Sequence, residues 1–180
     1  MDLRNFKKLF TALVRPHVEY AQSVWSPHWD KDITRIENVQ RRATKQIPGL
    51  ADLSYDDRLR SLHMPTLVYR RMRGDMIECY KMTSDLYDIR TQHILLEKRH
   101  VVIDSDRSRG HNKKLYVNKA KKAIGNNNFA HRVTEIWNHL PSDVVNAPSI
   151  NSFKNQLDTC WENEDILYVF NSTYNKFKNR

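Results

Sequence analysis

The sequence predicts a mainly α-helical chain, on three observations. Apolar residues recur at helical spacing in several segments, which is the primary signal of an amphipathic helix. Only four Gly and six Pro occur in 180 residues, fewer than an all-β chain with many tight turns would carry. Proline, Gly and Ser also fall between the periodic segments, where they start and stop helices.

The elements follow in order. Leu3, Phe6, Leu9, Phe10 and Leu13 share one helical face, with Lys7 and Lys8 outside it. Pro16 is expected to end or kink this helix near Arg15, because proline lacks the amide hydrogen and clashes with the preceding turn. Ser26-Pro27 marks a turn, and Asp30 is placed to cap the next helix. From Ile33 to Ile47 the apolar face holds Ile33, Ile36, Ala43 and Ile47; Arg41, Arg42 and Lys45 fall opposite, and Pro48-Gly49 stops the run.

Ser54 is expected to cap a short helix with Leu59 and Leu62 that ends by Pro65. A helix over about Thr66 to Thr83 puts Val68, Met72, Met76, Cys79 and Tyr80 on one side and Arg70, Arg71 and Lys81 on the other. The stretch 84–128 is a basic, irregular connector, and HVVIDSDRSRGHNKKLYV within it is compatible with a short β-hairpin. Asn126-Asn127-Asn128 reads as a loop or helix cap. Phe129, Val133, Ile136, Trp137 and Leu140 form a further face ended by Pro141. Ser149 is placed to cap a last helix with Ile150, Phe153, Leu157 and Trp161. Three segments result: a helical one over 1–83, the connector over 84–128, and a helical segment with a tail over 129–180.

The formal net charge of +9 favours polyanionic partners, nucleic acid before an anionic membrane. No apolar run reaches the roughly 20 residues needed to cross a bilayer, and MDLRNFKKLF lacks the order of a signal peptide. The expectation is an intracellular protein, nuclear or cytoplasmic and not secreted, without a membrane partner. Cys79 and Cys160 form no CxxC pair, and the eight His show no HExxH spacing, so no structural metal site is expected.

Tyr55-Asp56-Asp57 has the look of a polymerase carboxylate pair, but Ser54 before it and the leucine pattern after it assign Asp57 to a capping box. Asp104-Ser105-Asp106, two acids with no third ligand, reads as solvated charge rather than a nuclease centre. Basic clusters are the better candidates. One is Arg41, Arg42 and Lys45, and another is Arg70 and Arg71, of which Arg71 has Asp75 one turn on. The third holds Arg107, Arg109, His111, Lys113, Lys114, Lys119, Lys121 and Lys122. Such side chains bind phosphates without reading bases. Tyr20, Trp25 and Trp29 offer stacking surfaces, although aromatic side chains around two prolines are expected to be buried at a helix corner.

LVRPHVEYAQSVWSPH at 13–28, with DITRIENVQRRATKQIPGL at 32–50, resembles the segment just downstream of the polymerase core in reverse transcriptases of jockey-like non-LTR retrotransposons. LSYDDRLRSLHMPTLVYRRMRGDMIECYK at 53–81, SRGHNKKL at 108–115 and FAHRVTEIWNHLPSDVVNAPSINSFKNQLDTCW at 129–161 resemble successive blocks of the same region, in the same order. The resemblance weakens after Trp161. It implies a helical thumb to about Lys81, followed by an α-rich C-terminal extension. It also implies that fingers and palm, with the catalytic aspartates and their two Mg2+ ions, precede this segment. No Tyr/Phe-x-Asp-Asp motif is present, so no cofactor and no catalysis are expected of the chain as it stands. Elements of this kind are commonly truncated at the 5′ end, which implies a fragment.

The function expected is sequence-independent binding of template-primer, RNA or RNA–DNA hybrid, through Arg41, Arg42, Lys45, Arg70, Arg71, Arg109, His111, Lys113, Lys114, Lys121 and Lys122. The alternatives are a helical protein-interaction module, whose partner is the missing palm or another helical chain, and an inert remnant of a truncated element. An independent hydrolase ranks last, since no nucleophile–base pair supports it.

Overall fold

In the computed structural model, residues 2–84, 86–87, 111–116 and 128–172 are described, and they are mainly helical with no β-strand among them. Residues 100–110 and 117 of the expected hairpin lie outside these residues, as do Arg107, Arg109, Lys119, Lys121, Lys122 and the Asp104–Asp106 pair. The chain divides into two units, Met1–Met72 with Glu162–Arg180, and Arg73–Trp161. The division differs from the sequence expectation of a break near residue 83. It falls inside one helix, and the segment after Glu162 returns to the first unit.

The first unit begins with α1 (Leu3–Leu9), continues through a π-helical turn at Phe10–Val14, and passes into α2 (Arg15–Glu19). Pro16 therefore does not end the helix. It sits in the first turn of α2, where its missing amide hydrogen is tolerated, and the wide turn before it relieves the clash. The helix ends at Tyr20, and Ala21 takes a left-handed conformation (φ 49°) before the single turn of α3 (Gln22–Trp25).

The long helix α4 (Asp30–Lys45) starts behind Trp29, without the expected side-chain cap from Asp30; Asp30 and Asp32 instead complement the positive end of the helix dipole from within its first turn. Gly49 (φ +81°) carries the chain out of the following turn, a conformation that favours glycine. In α5 (Tyr55–Leu62) the expected capping box is present: Asp57 N–H donates to Ser54 Oγ at 3.2 Å, and Ser54 Oγ donates to Asp57 Oδ2 at 2.6 Å. His63 closes α5 in a left-handed conformation (φ 47°). The core of this unit joins Phe6, Phe10, Ile47, Leu50, Tyr55, Leu59, Leu62 and Met64, with Tyr168 and Phe170 from the returning segment packed against it.

Helix α6 (Leu67–Thr83) is flanked by Thr66, whose Oγ1 accepts from Tyr69 N–H at 3.0 Å and donates to Ile166 O at 2.7 Å. The second unit takes the rest of α6 and adds α7 (Phe129–Asn138), the single turn α8 (Ser142–Val145) and α9 (Ile150–Cys160). As the sequence predicts, Val133, Trp137 and Leu140 are buried on one side of α7, and Phe153, Leu157 and Trp161 on one side of α9 and its end. Asn128 Oδ1 caps α7 by accepting from His131 N–H at 3.0 Å. Ser149 Oγ caps α9 by accepting from Ser152 N–H at 3.2 Å. Replacing Ser149 by Ala should cost about 1 kcal/mol, measured by urea unfolding, because this donor then faces water alone; an unchanged midpoint would deny the cap its role.

Tyr80 stacks on Phe153 (4.4 Å between ring centroids, 20° between planes) and donates to Ala147 O at 2.6 Å. Asp75 and Arg132 pair through two contacts of 2.7 and 3.2 Å, and Arg73 holds Asp158 at 2.5 and 2.7 Å. Cys79 is fully buried, as expected for a core residue, and burial together with nearby Asp75 pushes its thiol pKa up. Among the described residues no helix is long and apolar enough to cross a membrane.

Candidate nucleic-acid interface

The candidate surface is set by which side of α4 is buried. Glu37, Gln40 and Thr44 are the buried residues of this helix, with Ile47 just beyond its end. The buried side is therefore rotated by roughly 45° from the apolar stripe of Ile33, Ile36 and Ala43, which are only half-buried.

Polar groups from α5 and α6 explain the rotation. Glu37 accepts from Tyr55 Oη at 2.6 Å, from Leu67 N–H at 3.0 Å and from Val68 N–H at 3.3 Å. Its carboxylate thus caps α6 from outside, while Thr66 serves the third free amide. Gln40 Nε2 donates to Tyr55 Oη at 3.2 Å and to Pro65 O at 3.0 Å. Buried Arg58 donates to Leu53 O at 2.6 Å and to Thr44 Oγ1 at 3.3 Å. Burial raises the Glu37 pKa, against the opposing pull of these hydrogen bonds and of the Arg71 charge. The Tyr55 hydroxyl is also pushed up, by burial and by the facing carboxylate.

Opposite this buried side runs a strip of cations. Lys31, Arg35, Arg42 and Lys45 recur at spacings of four, seven and three residues, and all four are exposed. At the rise of an α-helix they extend over about 21 Å. Beyond Asp32 the only acid on α4 is Glu37, which is buried, so no exposed acid of α4 accompanies Arg42 and Lys45, whereas Asp30 and Asp32 flank Lys31. Arg35 lies 3.5 Å from Asp32 at the surface, a weak pairing.

The sequence-predicted residues divide accordingly. Arg42 and Lys45 lie on the strip. Arg41 does not: it is half-buried, its guanidinium 5.0 Å from the Tyr55 ring centroid and 4.8 Å from that of Phe170. Arg70 forms a two-pronged ion pair with Glu19, through Nε and through Nη2 at 2.7 Å, so it is occupied inside the first unit. The same carboxylate lies 3.6 Å from Arg15, whose pKa is lowered by burial and by the Arg70 charge. Arg71 is only 4% exposed and faces Glu37, which removes the expected second basic face.

In the second unit His111 is 2% exposed, not a surface contact. Its Nδ1 accepts from Lys113 N–H at 3.2 Å, which leaves Nε2–H to donate to Trp137 O at 2.9 Å. Burial lowers its pKa. Lys113 Nζ donates to Val145 O at 3.4 Å and lies 5.9 Å from the Tyr80 ring centroid; Lys114 is half-buried.

Lys31 and Arg35 were missed by the sequence reading, although their spacing from Arg42 and Lys45 is a visible signal. The aromatic residues also depart from expectation: Tyr20 is 80% exposed, Trp29 is 62% exposed, and Trp25 is exposed as well. The π turn carries the helix past Pro16, so the expected corner does not form at that proline.

Among the described residues no group of three His, Cys, Asp or Glu is placed to hold a metal ion. Comparison with protein-family models, with curated proteins and with solved structures gave no match to the chain.

Proposed function

We propose that the chain is a non-catalytic C-terminal portion, thumb and extension, of a non-LTR retrotransposon RNA-directed DNA polymerase. It holds template-primer RNA or RNA–DNA hybrid without regard to sequence. The observation that carries the binding reading is the Lys31–Arg35–Arg42–Lys45 strip, exposed along one side of α4 and opposite its buried side. The ordered sequence blocks support the family reading. Cations at this spacing follow a phosphate backbone and release its condensed counterions, which gives affinity and no base discrimination.

The test is a salt series with a labelled RNA–DNA hybrid, read by fluorescence anisotropy on the purified chain. Four phosphate contacts predict a log–log slope near −3.6, and hybrids of unrelated sequence should bind alike. Binding that does not weaken with salt overturns the proposal. A helical interaction module is the second reading, favoured by the exposure of Leu13 and Val24, the latter at 87%. Self-association at micromolar concentration with no affinity for nucleic acid would select it.

A further inference from the structure

We infer that the groove where the chain enters α4 receives unpaired bases of a single-stranded nucleic-acid segment, with Trp29 as the stacking surface; this rests on the reading of the α4 strip as a phosphate-binding surface. The groove is open, of about 500 Å³, and is lined by Trp25, Pro27, His28, Trp29, Arg35 and Ile36. Its apolar surface consists largely of flat rings. Trp29 stands 62% exposed, with the His28 ring 4.6 Å away and tilted by 41°. The Trp25 indole N–H is held by the carbonyl of Tyr20, which fixes that ring without covering it.

Continuity with the strip identifies the occupant. Arg35 belongs both to the groove and to the cationic strip, and Lys31 lies one turn before it. A strand whose phosphates follow the strip from Lys45 toward Lys31 brings its next nucleotides to Trp29. Asp32 also lines the groove, its carboxylate 3.5 Å from Arg35, so the lining carries one charge of each sign and its flat rings, rather than net charge, suit a base. Bases stack on aromatic side chains whatever their identity. The groove therefore extends a sequence-independent surface from duplex backbone to frayed or overhanging strand.

The test uses the full chain with two labelled oligomers of equal length and charge, about twelve nucleotides each. One is uridine RNA and the other carries the same backbone without bases. The base-bearing oligomer should bind roughly tenfold more tightly and quench tryptophan fluorescence. Trp29→Ala should erase that difference while leaving the salt slope unchanged, and Trp29→Phe should keep most of it. Helicity by circular dichroism confirms that both variants fold. Equal affinity for the two oligomers, unaffected by Trp29→Ala, overturns this inference and leaves the strip intact. No binding of either oligomer overturns the strip reading and this inference together. A dimer that Trp29→Ala dissociates, with oligomer affinity unchanged, assigns the groove to a second copy of the chain and also overturns it.

Discussion

Replacing Glu37 by Ala should cost about 3–5 kcal/mol of stability, the cost expected when one member of a buried charged network is removed. Truncation leaves the Tyr55 hydroxyl and the Leu67 and Val68 amides without their shared acceptor, inside a region that water does not reach. It also removes the carboxylate whose charge acts with that of Arg71. Glu37→Gln keeps one acceptor oxygen and should cost less. Chemical unfolding followed by circular dichroism reads both. A loss under about 1 kcal/mol for the Ala variant would mean that the network does not anchor α4 to α6.

Glu37 also sets a pH dependence whose sign is fixed by its raised pKa. Between the ordinary value of 4.5 and the higher folded value, the folded chain holds this proton and the unfolded chain does not. Stability relative to Glu37→Gln is therefore greatest below pH 4.5 and falls as pH rises through the folded value. A difference that grows with pH over that window would contradict the assignment.

Trp137→Ala should be comparably severe in the second unit, about 3–5 kcal/mol. The indole is fully buried, lies 6.1 Å from the Phe153 ring and 6.0 Å from that of His111, and donates to Lys113 O at 2.7 Å. Its loss opens a large cavity and strips the half-buried Lys113 carbonyl of its donor. Trp137→Phe should recover more than half of the loss, because most of the cavity closes. Urea unfolding followed by circular dichroism checks both, and an Ala variant with the wild-type midpoint would contradict this packing.

The helices that the sequence predicts well are those whose signals are local. Ser149 with Phe153, Leu157 and Trp161 defines α9, and Ser54 with Asp57 defines the start of α5. Features set by distant residues were not legible. Apolar spacing on α4 points to Ile33 and Ile36, whereas the buried side is chosen by Tyr55, Pro65 and the amides of Leu67 and Val68, far along the chain. Arg71 reads as a surface cation because its partner on α4 is more than thirty residues away in sequence. His111 reads as one more basic residue until the backbone around Trp137 is in place. Half of the strip, Arg42 and Lys45, was legible; Lys31 and Arg35 were passed over because they interleave with the apolar positions rather than cluster.

The claim that α4 presents a phosphate-binding strip is tested most directly by the salt dependence of RNA–DNA hybrid binding. Wild type is compared with a Lys31→Ala, Arg35→Ala, Arg42→Ala, Lys45→Ala variant, and with an Arg4→Ala, Lys8→Ala control that removes exposed charge from α1. The account predicts that the fourfold variant loses most of a slope near −3.6, while the control keeps it. A fourfold variant that stays folded and retains the wild-type slope would contradict it.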